Sequence, residues 1–231
     1  MLQGAKGILG PRPAIHRVMP ARQATKTEWI LPYDDICELL LKAKSFIARD
    51  CICRVEQDVL GSRSCNFPLK NCLAISVVEG AFGTNGISLE EALAVIDETE
   101  EIGLVHTVSN NIGDVNYVCN CCGCCCGILR GITQWGVDNS VARANYHAEV
   151  DPDVCTGCEI CIDRCQVGAV SIDGVVATVN LSRCIGCGLC VTGCPDEAMY
   201  LQRRPDAELV HPPADFAAWE DERLRSRGLT E

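Results

Sequence analysis

Between residues 155 and 194 the pattern Cys-x-x-Cys-x-x-Cys-x-x-x-Cys occurs twice. The first copy is Cys155, Cys158, Cys161 and Cys165. The second is Cys184, Cys187, Cys190 and Cys194, with Pro195 directly after it. Three thiolates at this spacing wrap one face of an iron–sulfur cube, because each two-residue loop turns its sulfur towards a different iron. The fourth cysteine serves a second cube more easily than the first. A duplicated pattern therefore implies two [4Fe–4S] clusters with crossed ligation, close enough for single electrons to pass between them. Zinc also uses Cys-x-x-Cys, but it needs neither the third cysteine at this spacing nor the trailing Cys-Pro.

Ten further cysteines fall between residues 51 and 126. Cys51, Cys53, Cys65 and Cys72 form one set. Cys119, Cys121, Cys122, Cys124, Cys125 and Cys126 form the other, in the string Cys-Asn-Cys-Cys-Gly-Cys-Cys-Cys. Cys119, Cys122 and Cys125 keep the two-residue interval that a cube prefers, and Cys121 and Cys124 share it. Soft thiolates in this number point to a third metal site, assigned to Cys51, Cys53, Cys65, Cys72, Cys119, Cys122 and Cys125. An iron–sulfur cluster is the preferred occupant, with structural zinc or reduced thiols as alternatives. The surplus of sulfurs leaves room for an unusual cluster or for two. Arg54 and Arg130 flank the sets, where a guanidinium either offsets thiolate charge or simply faces solvent.

Residues 151–202, about a quarter of the chain, resemble a two-cluster bacterial-type ferredoxin. The resemblance implies one cluster on Cys155, Cys158, Cys161 and Cys194, and another on Cys184, Cys187, Cys190 and Cys165. One departure stands out. The family often carries proline after the fourth cysteine of each copy, whereas Cys165 is followed by Gln166. Upstream, Cys51-x-Cys53-Arg54, the Cys65–Cys72 stretch and the string at 119–126 resemble cysteine-rich modules that precede such ferredoxin domains in redox proteins of anaerobes.

Residues 169–179 read as two short strands about Asp173-Gly174, a hairpin signal, and Glu197–Leu201 as a return strand. Gly157, Gly186 and Gly188 fall in the ligand loops, where backbone passes close to sulfide. Ile160, Ile162, Val170, Ile185, Leu189 and Val191 are expected to keep water from the clusters. Further upstream, Ile36, Leu39, Leu40, Ala43, Phe46 and Ile47 recur at helical spacing, predicting a helix that ends near Asp50, with Cys37 as a core thiol. Ser88 and Glu91 mark a capping box for a second helix that ends at Gly103 and Leu104. Leu104–Val108 and Val115–Cys119 read as a hairpin. Two helices and such a wing are similar to a winged-helix module. However, Glu90, Glu91, Asp97, Glu98, Glu100 and Glu101 would repel phosphates, so nucleic acid is not the expected partner. His106 is read as structural. A short helix over Ala214–Arg227, with Phe216 and Trp219 on one side, is expected to pack within the chain.

These readings give an α+β fold. A C-terminal ferredoxin-type pseudo-twofold domain, with two short hairpins and two cluster loops, follows a small helical, winged-helix-like, cysteine-rich module. The expected segments are a flexible basic arm (1–26), the cysteine-rich module (27–135), the ferredoxin domain (150–202) and a polar tail (203–231). The arm holds Lys6, Arg12, Arg17, Arg22 and Lys26 and no acid, so the remainder is more acidic than the net −11 of the whole chain. Its deletion is expected to leave the absorption spectrum unchanged.

Nineteen cysteines, many of them neighbours, make a poor disulfide framework and suit a reducing, oxygen-poor cytoplasm. No apolar run is long enough to span a bilayer, and the N-terminus lacks the apolar core of a secretory signal. There is no dinucleotide or phosphate-binding glycine motif, and no nucleophile or general base stands out, so no catalytic residue is assigned. The expected function is an electron-transfer protein, or a subunit of a larger complex, docking on redox partner proteins through its acidic surface. The alternatives are an iron–sulfur oxidoreductase with a substrate-binding cluster at 51–126, or a redox-sensing regulator.

Overall fold

The computed structural model describes residues 2–25 and 30–229. The segment read as a free arm is built into the fold. Leu2–Leu9 is a helix (α1) and His16–Val18 a strand (β1). Val18, Met19 and Ala21 are buried, and that burial offsets the entropy of fixing the stretch. Arg17, one of the arm's cations, is itself buried, 3.7 Å from Asp34. Lys26 lies outside the described residues.

Helix α2 (Ile36–Lys42) starts on Asp35, whose carboxylate accepts the backbone N–H groups of Cys37 and Glu38. The helix stops at Lys42 rather than near Asp50. Ser45–Asp50 is strand β2, so Phe46 and Ile47 belong to a sheet despite their helical spacing. Helix α3 (Ile52–Val59) follows, with Cys51 at its N-cap. Strand β3 (Lys70–Ser76) then pairs antiparallel with β2 along its length. A short apolar run is ambiguous between the two periods, and here the partner strand decides it.

Helix α4 (Leu89–Glu101) has the expected capping box: Ser88 Oγ accepts the Glu91 N–H at 3.1 Å, and Glu91 Oε2 accepts the Ser88 N–H at 2.8 Å. It ends at Gly103, with φ +89°, where Leu104 N–H returns to Thr99 O at 2.8 Å. Strands β4 (Val105–Ser109) and β5 (Tyr117–Cys121) form a hairpin one or two residues beyond the expected positions. It is not a wing. With β6 (Val141–Ala142) the strands make a six-stranded sheet in the order β2-β3-β5-β4-β1-β6. Only β6 runs parallel to its neighbour, β1; the other pairs are antiparallel. The winged-helix-like expectation thus gives way to a sheet that also draws on residues outside 27–135. Helices α2 and α4 contribute Ile36, Leu40 and Ile96 to a core with Leu73, Ile75 and Val118 of the sheet. Cys37 packs at the edge of that core, as expected of a core thiol.

Beyond α5 (Leu129–Thr133) come β7 (Tyr146–Val150), α6 (Ile160–Asp163), β8 (Val170–Asp173), β9 (Val176–Val179), α7 (Leu189–Thr192) and β10 (Met199–Arg203). Strands β8 and β9 are the expected hairpin, Asp173 pairing with Val176. The return strand β10 makes no second hairpin. It pairs with β7, so a strand before the first motif closes on a strand after the second. Helix α8 (Phe216–Ser226) folds back on the N-terminal segment. Trp219 Nε1 donates to Ala14 O at 2.9 Å, and the Arg223 guanidinium donates to the carbonyls of Ile8, Pro11 and Pro13. Among the described residues no helix is long and apolar enough to cross a membrane.

Because β1 lies between β4 and β6, deleting residues 1–20 should lower the stability of the whole chain by more than about 3 kcal/mol, as expected when buried packing is removed. Thermal unfolding followed by circular dichroism checks this. An unchanged midpoint would show the segment to be dispensable.

Candidate metal centres

Cys155, Cys158, Cys161 and Cys194 line one cavity in the C-terminal half, together with Ile172 and Met199. Cys165 stands instead beside Cys184, Cys187 and Cys190, near enough for their charges to act on one another. Backbone donors aim at these sulfurs. Ala177 N–H points at Cys155 Sγ (3.4 Å), Ala169 N–H at Cys165 Sγ (3.1 Å) and Ala148 N–H at Cys184 Sγ (3.5 Å). Such donors favour the thiolate, the form that binds iron. Burial acts the other way and pushes the Cys187 thiol up to about 12, so a thiolate there needs a cation to compensate it.

The two ligand loops are shaped alike. Gly157 (φ +69°) and Gly186 (φ +74°) are left-handed, and a Cβ would strike the carbonyl oxygen of Val175 or Tyr146 respectively. The tight approach shown here is to the turn between β8 and β9 for Gly157 and to the start of β7 for Gly186. Of the expected water-excluding residues, Val170, Ile185 and Leu189 are buried, Ile162 and Val191 pack against them, and Ile160 is exposed.

Residues 154–199 match the family model of the 4Fe-4S dicluster domain. No curated protein matches the chain. The dicluster domain makes iron–sulfur binding the chemistry of this segment, and its donor set of thiols, N–H groups and apolar walls fits such a group.

The ten N-terminal cysteines do not form one site. Six make a closed ring of neighbours: Cys51 beside Cys53 and Cys72, Cys53 beside Cys126, Cys126 beside Cys121, Cys121 beside Cys119, and Cys119 beside Cys72. The sheet explains half of it. The register that pairs Leu73 with Val118 sets Cys72 next to Cys119. Alternation along β5 then puts Cys119 and Cys121 on one face and Val118 and Asn120 on the other. Cys51 and Cys53 arrive from the start of α3, and Cys126 from the turn before α5. Backbone N–H groups of Arg54, Gly127, Asn120 and Leu129 point at Cys51, Cys53, Cys72 and Cys126. Hydrogen bonds from Cys53 and Cys72 hold Cys51 well below the usual thiol range, while Cys53 itself is pushed up. The remaining four, Cys65, Cys122, Cys124 and Cys125, form a second set. The seven residues expected as one site are therefore divided: Cys51, Cys53, Cys72 and Cys119 join the ring, and Cys65, Cys122 and Cys125 the other set. Cys121 and Cys126 complete the ring and Cys124 the second set. The strand alternation through Cys119 and Cys121 was the signal available for one of them.

Arg54 joins the two sets. It is fully buried, donates to Cys122 Sγ at 3.7 Å, and lies close enough to feel the charges of Cys51 and Cys72. Its other contacts are the Asn71 side chain and Asn120 O (3.1 Å). A buried cation here compensates thiolate charge. Arg130 takes the other course, stacking on Trp135 and bonding Gln134. His106 is structural: its Nδ1 meets Asn120 Oδ1 at 2.7 Å and its Nε2 lies 3.7 Å from Glu100. Glu100, one of the carboxylates expected to repel phosphates, is buried and accepts the backbone N–H groups of Arg22 (2.9 Å) and Gln23 (3.3 Å).

Gln166, the departure from the family's proline, joins the dicluster domain to the N-terminal module. Its Oε1 accepts Gly123 N–H at 2.9 Å, and its Nε2 donates to Gly103 O at 2.9 Å. Gly123 has no room for a Cβ, which would collide with the carbonyl oxygen of Gln166. Arg164, two residues earlier, donates to the carbonyls of Glu100 (2.8 Å) and Glu101 (2.7 Å) at the C-terminal end of α4. Gln166→Pro restores the family's residue but removes both side-chain bonds. It should cost roughly 2–3 kcal/mol in urea unfolding, and an unchanged midpoint would show that the junction is held elsewhere.

Proposed function

We propose that the chain is an iron–sulfur electron-transfer protein or subunit whose dicluster domain holds two [4Fe–4S] clusters. One is assigned to Cys155, Cys158, Cys161 and Cys194, and the other to Cys184, Cys187, Cys190 and Cys165. A third iron–sulfur cluster is assigned to the ring of Cys51, Cys53, Cys72, Cys119, Cys121 and Cys126. The supporting observation is the cavity lined by three cysteines of the first motif and the last of the second, in a segment that matches the dicluster domain. The ring's Cys119, Cys121 and Cys126 share one apolar core with the dicluster cysteines. Six thiols exceed the four terminal positions of a single cube, so the ring suits a cluster of more than four irons.

Bound clusters would supply one-electron chemistry, at a potential within the roughly −700 to +450 mV that iron–sulfur clusters span. The chain's own residues tune and protect it. Backbone N–H groups aimed at the sulfurs, and Arg54 between the two N-terminal sets, stabilise added negative charge and raise the potential. Val170, Ile185 and Leu189 exclude water. Gln166 connects Cys165 by hydrogen bond to Gly123, inside the 119–126 string, giving a short bonded route between the domain and the module. The acidic surface would dock on a basic patch of a partner. All nineteen cysteines are free of disulfides, which suits a reducing compartment.

Cys158→Ala, in protein purified without oxygen, should lower iron and sulfide by about four each per chain and weaken the electron paramagnetic resonance of the reduced protein. Unchanged iron would overturn the ligand assignment. Loss of no low-potential signal, with iron reduced, would separate the cluster from electron transfer.

A further inference from the structure

The sulfurs of Cys65, Cys122, Cys124 and Cys125 all lie within 4.8 Å of one another, and no other such group of ligand side chains is gathered so closely among the described residues. Cys65 Sγ is 3.9 Å from Cys122 Sγ and 3.7 Å from Cys125 Sγ, and Cys124 and Cys125 are 3.6 Å apart. Four thiolates on one tetrahedral ion, with metal–sulfur bonds of about 2.3 Å, stand about 3.8 Å from one another, the edge of that tetrahedron. A cube hangs its four thiolates on four different irons and so spreads them by its own width. Among the described residues neither the dicluster cysteines nor the six-thiol ring forms a group within the 4.8 Å limit that this set meets.

Charge fits the same occupant. Four thiolates around a divalent ion leave two negative charges. Two guanidinium groups meet them: Arg54 donates to Cys122 Sγ at 3.7 Å, and Arg63, which also pairs with Asp58 at 2.7 Å, bonds Cys65. Phe67 N–H points at Cys65, and Leu104 and Phe67 pack over the set. Residues 62–68 have no regular secondary structure; Ser62 and Arg63 are tied to Gln57 O at 2.9 and 3.1 Å, and the Arg63 guanidinium donates to Phe67 O.

We propose that Cys65, Cys122, Cys124 and Cys125 hold a single tetrahedral metal ion, zinc or sulfide-free iron, separate from any cluster in the ring. The ion pins the 62–68 segment to the 122–125 turn and fixes the side of the turn on which Arg54 bonds. The proposal does not rest on a cluster in the ring, because acid-labile sulfide reports clusters and sulfide-free metal reports this site.

The test compares metal and sulfide content of the full chain with Cys65→Ser and Cys124→Ser, all purified without oxygen. The unaltered protein should carry about one zinc per chain, or about one iron in excess of sulfide. Both variants should lose that ion and keep their sulfide. Loss of about four irons with four sulfides would overturn the proposal by showing a cube, and loss of no metal would overturn it outright. If the variants fail to fold, X-ray absorption on the unaltered protein decides. Zinc with about four sulfurs at about 2.3 Å and no metal neighbour supports the site, as does iron exceeding sulfide. Zinc with fewer sulfurs, or no zinc with iron equal to sulfide, contradicts it.

Discussion

Buried sulfur charge is the constraint on which the rest of this molecule depends. Eighteen of the nineteen cysteines stand in gathered sets, and a thiolate in an apolar interior is costly without a positive partner. The chain meets that cost in layers. Backbone N–H groups point at the sulfurs, Arg54 is buried between two sets, and the proposed metal would carry the remainder. Much of the fold can be understood as what it takes to aim those donors. The α3 N-terminus presents Arg54 N–H to Cys51, strands β7 and β9 present Ala148 and Ala177 to Cys184 and Cys155, and Ala169, just before β8, faces Cys165.

The dicluster domain and the N-terminal module are parts of one apolar core. Val18, Val105, Cys121 and Leu129 belong to the same buried cluster as Cys161, Ile185 and Leu189. Gln166 and Arg164 tie the domain to Gly123, to Gly103 and to the end of α4. Where the ferredoxin pattern carries a rigid proline, this chain spends the position on a two-handed amide. The substitution makes sense only in the presence of the module beside it.

What was legible in the sequence was local. Cysteine spacing, the Asp173-Gly174 turn and the Ser88/Glu91 box each place all their determinants within a few residues, so they survive the absence of a tertiary frame. What was hidden depends on partners distant in the chain. Phe46 and Ile47 satisfy a helical period until β3 pairs with them. Arg17 and Arg22 read as solvated charges, yet Arg17 is buried beside Asp34, and Arg22 offers its backbone N–H to Glu100. The β3–β5 register sets Cys72 beside Cys119, a neighbour that no spacing within the 119–126 string encodes.

The most direct measurement is acid-labile sulfide per chain in protein purified without oxygen, because sulfide counts clusters and ignores single ions. Two cubes in the dicluster domain supply about eight. A third cluster in the six-thiol ring requires clearly more than about eight sulfides, matched by iron. A value of about eight would contradict a cluster in the ring, and a value well below about eight would contradict the paired cubes themselves.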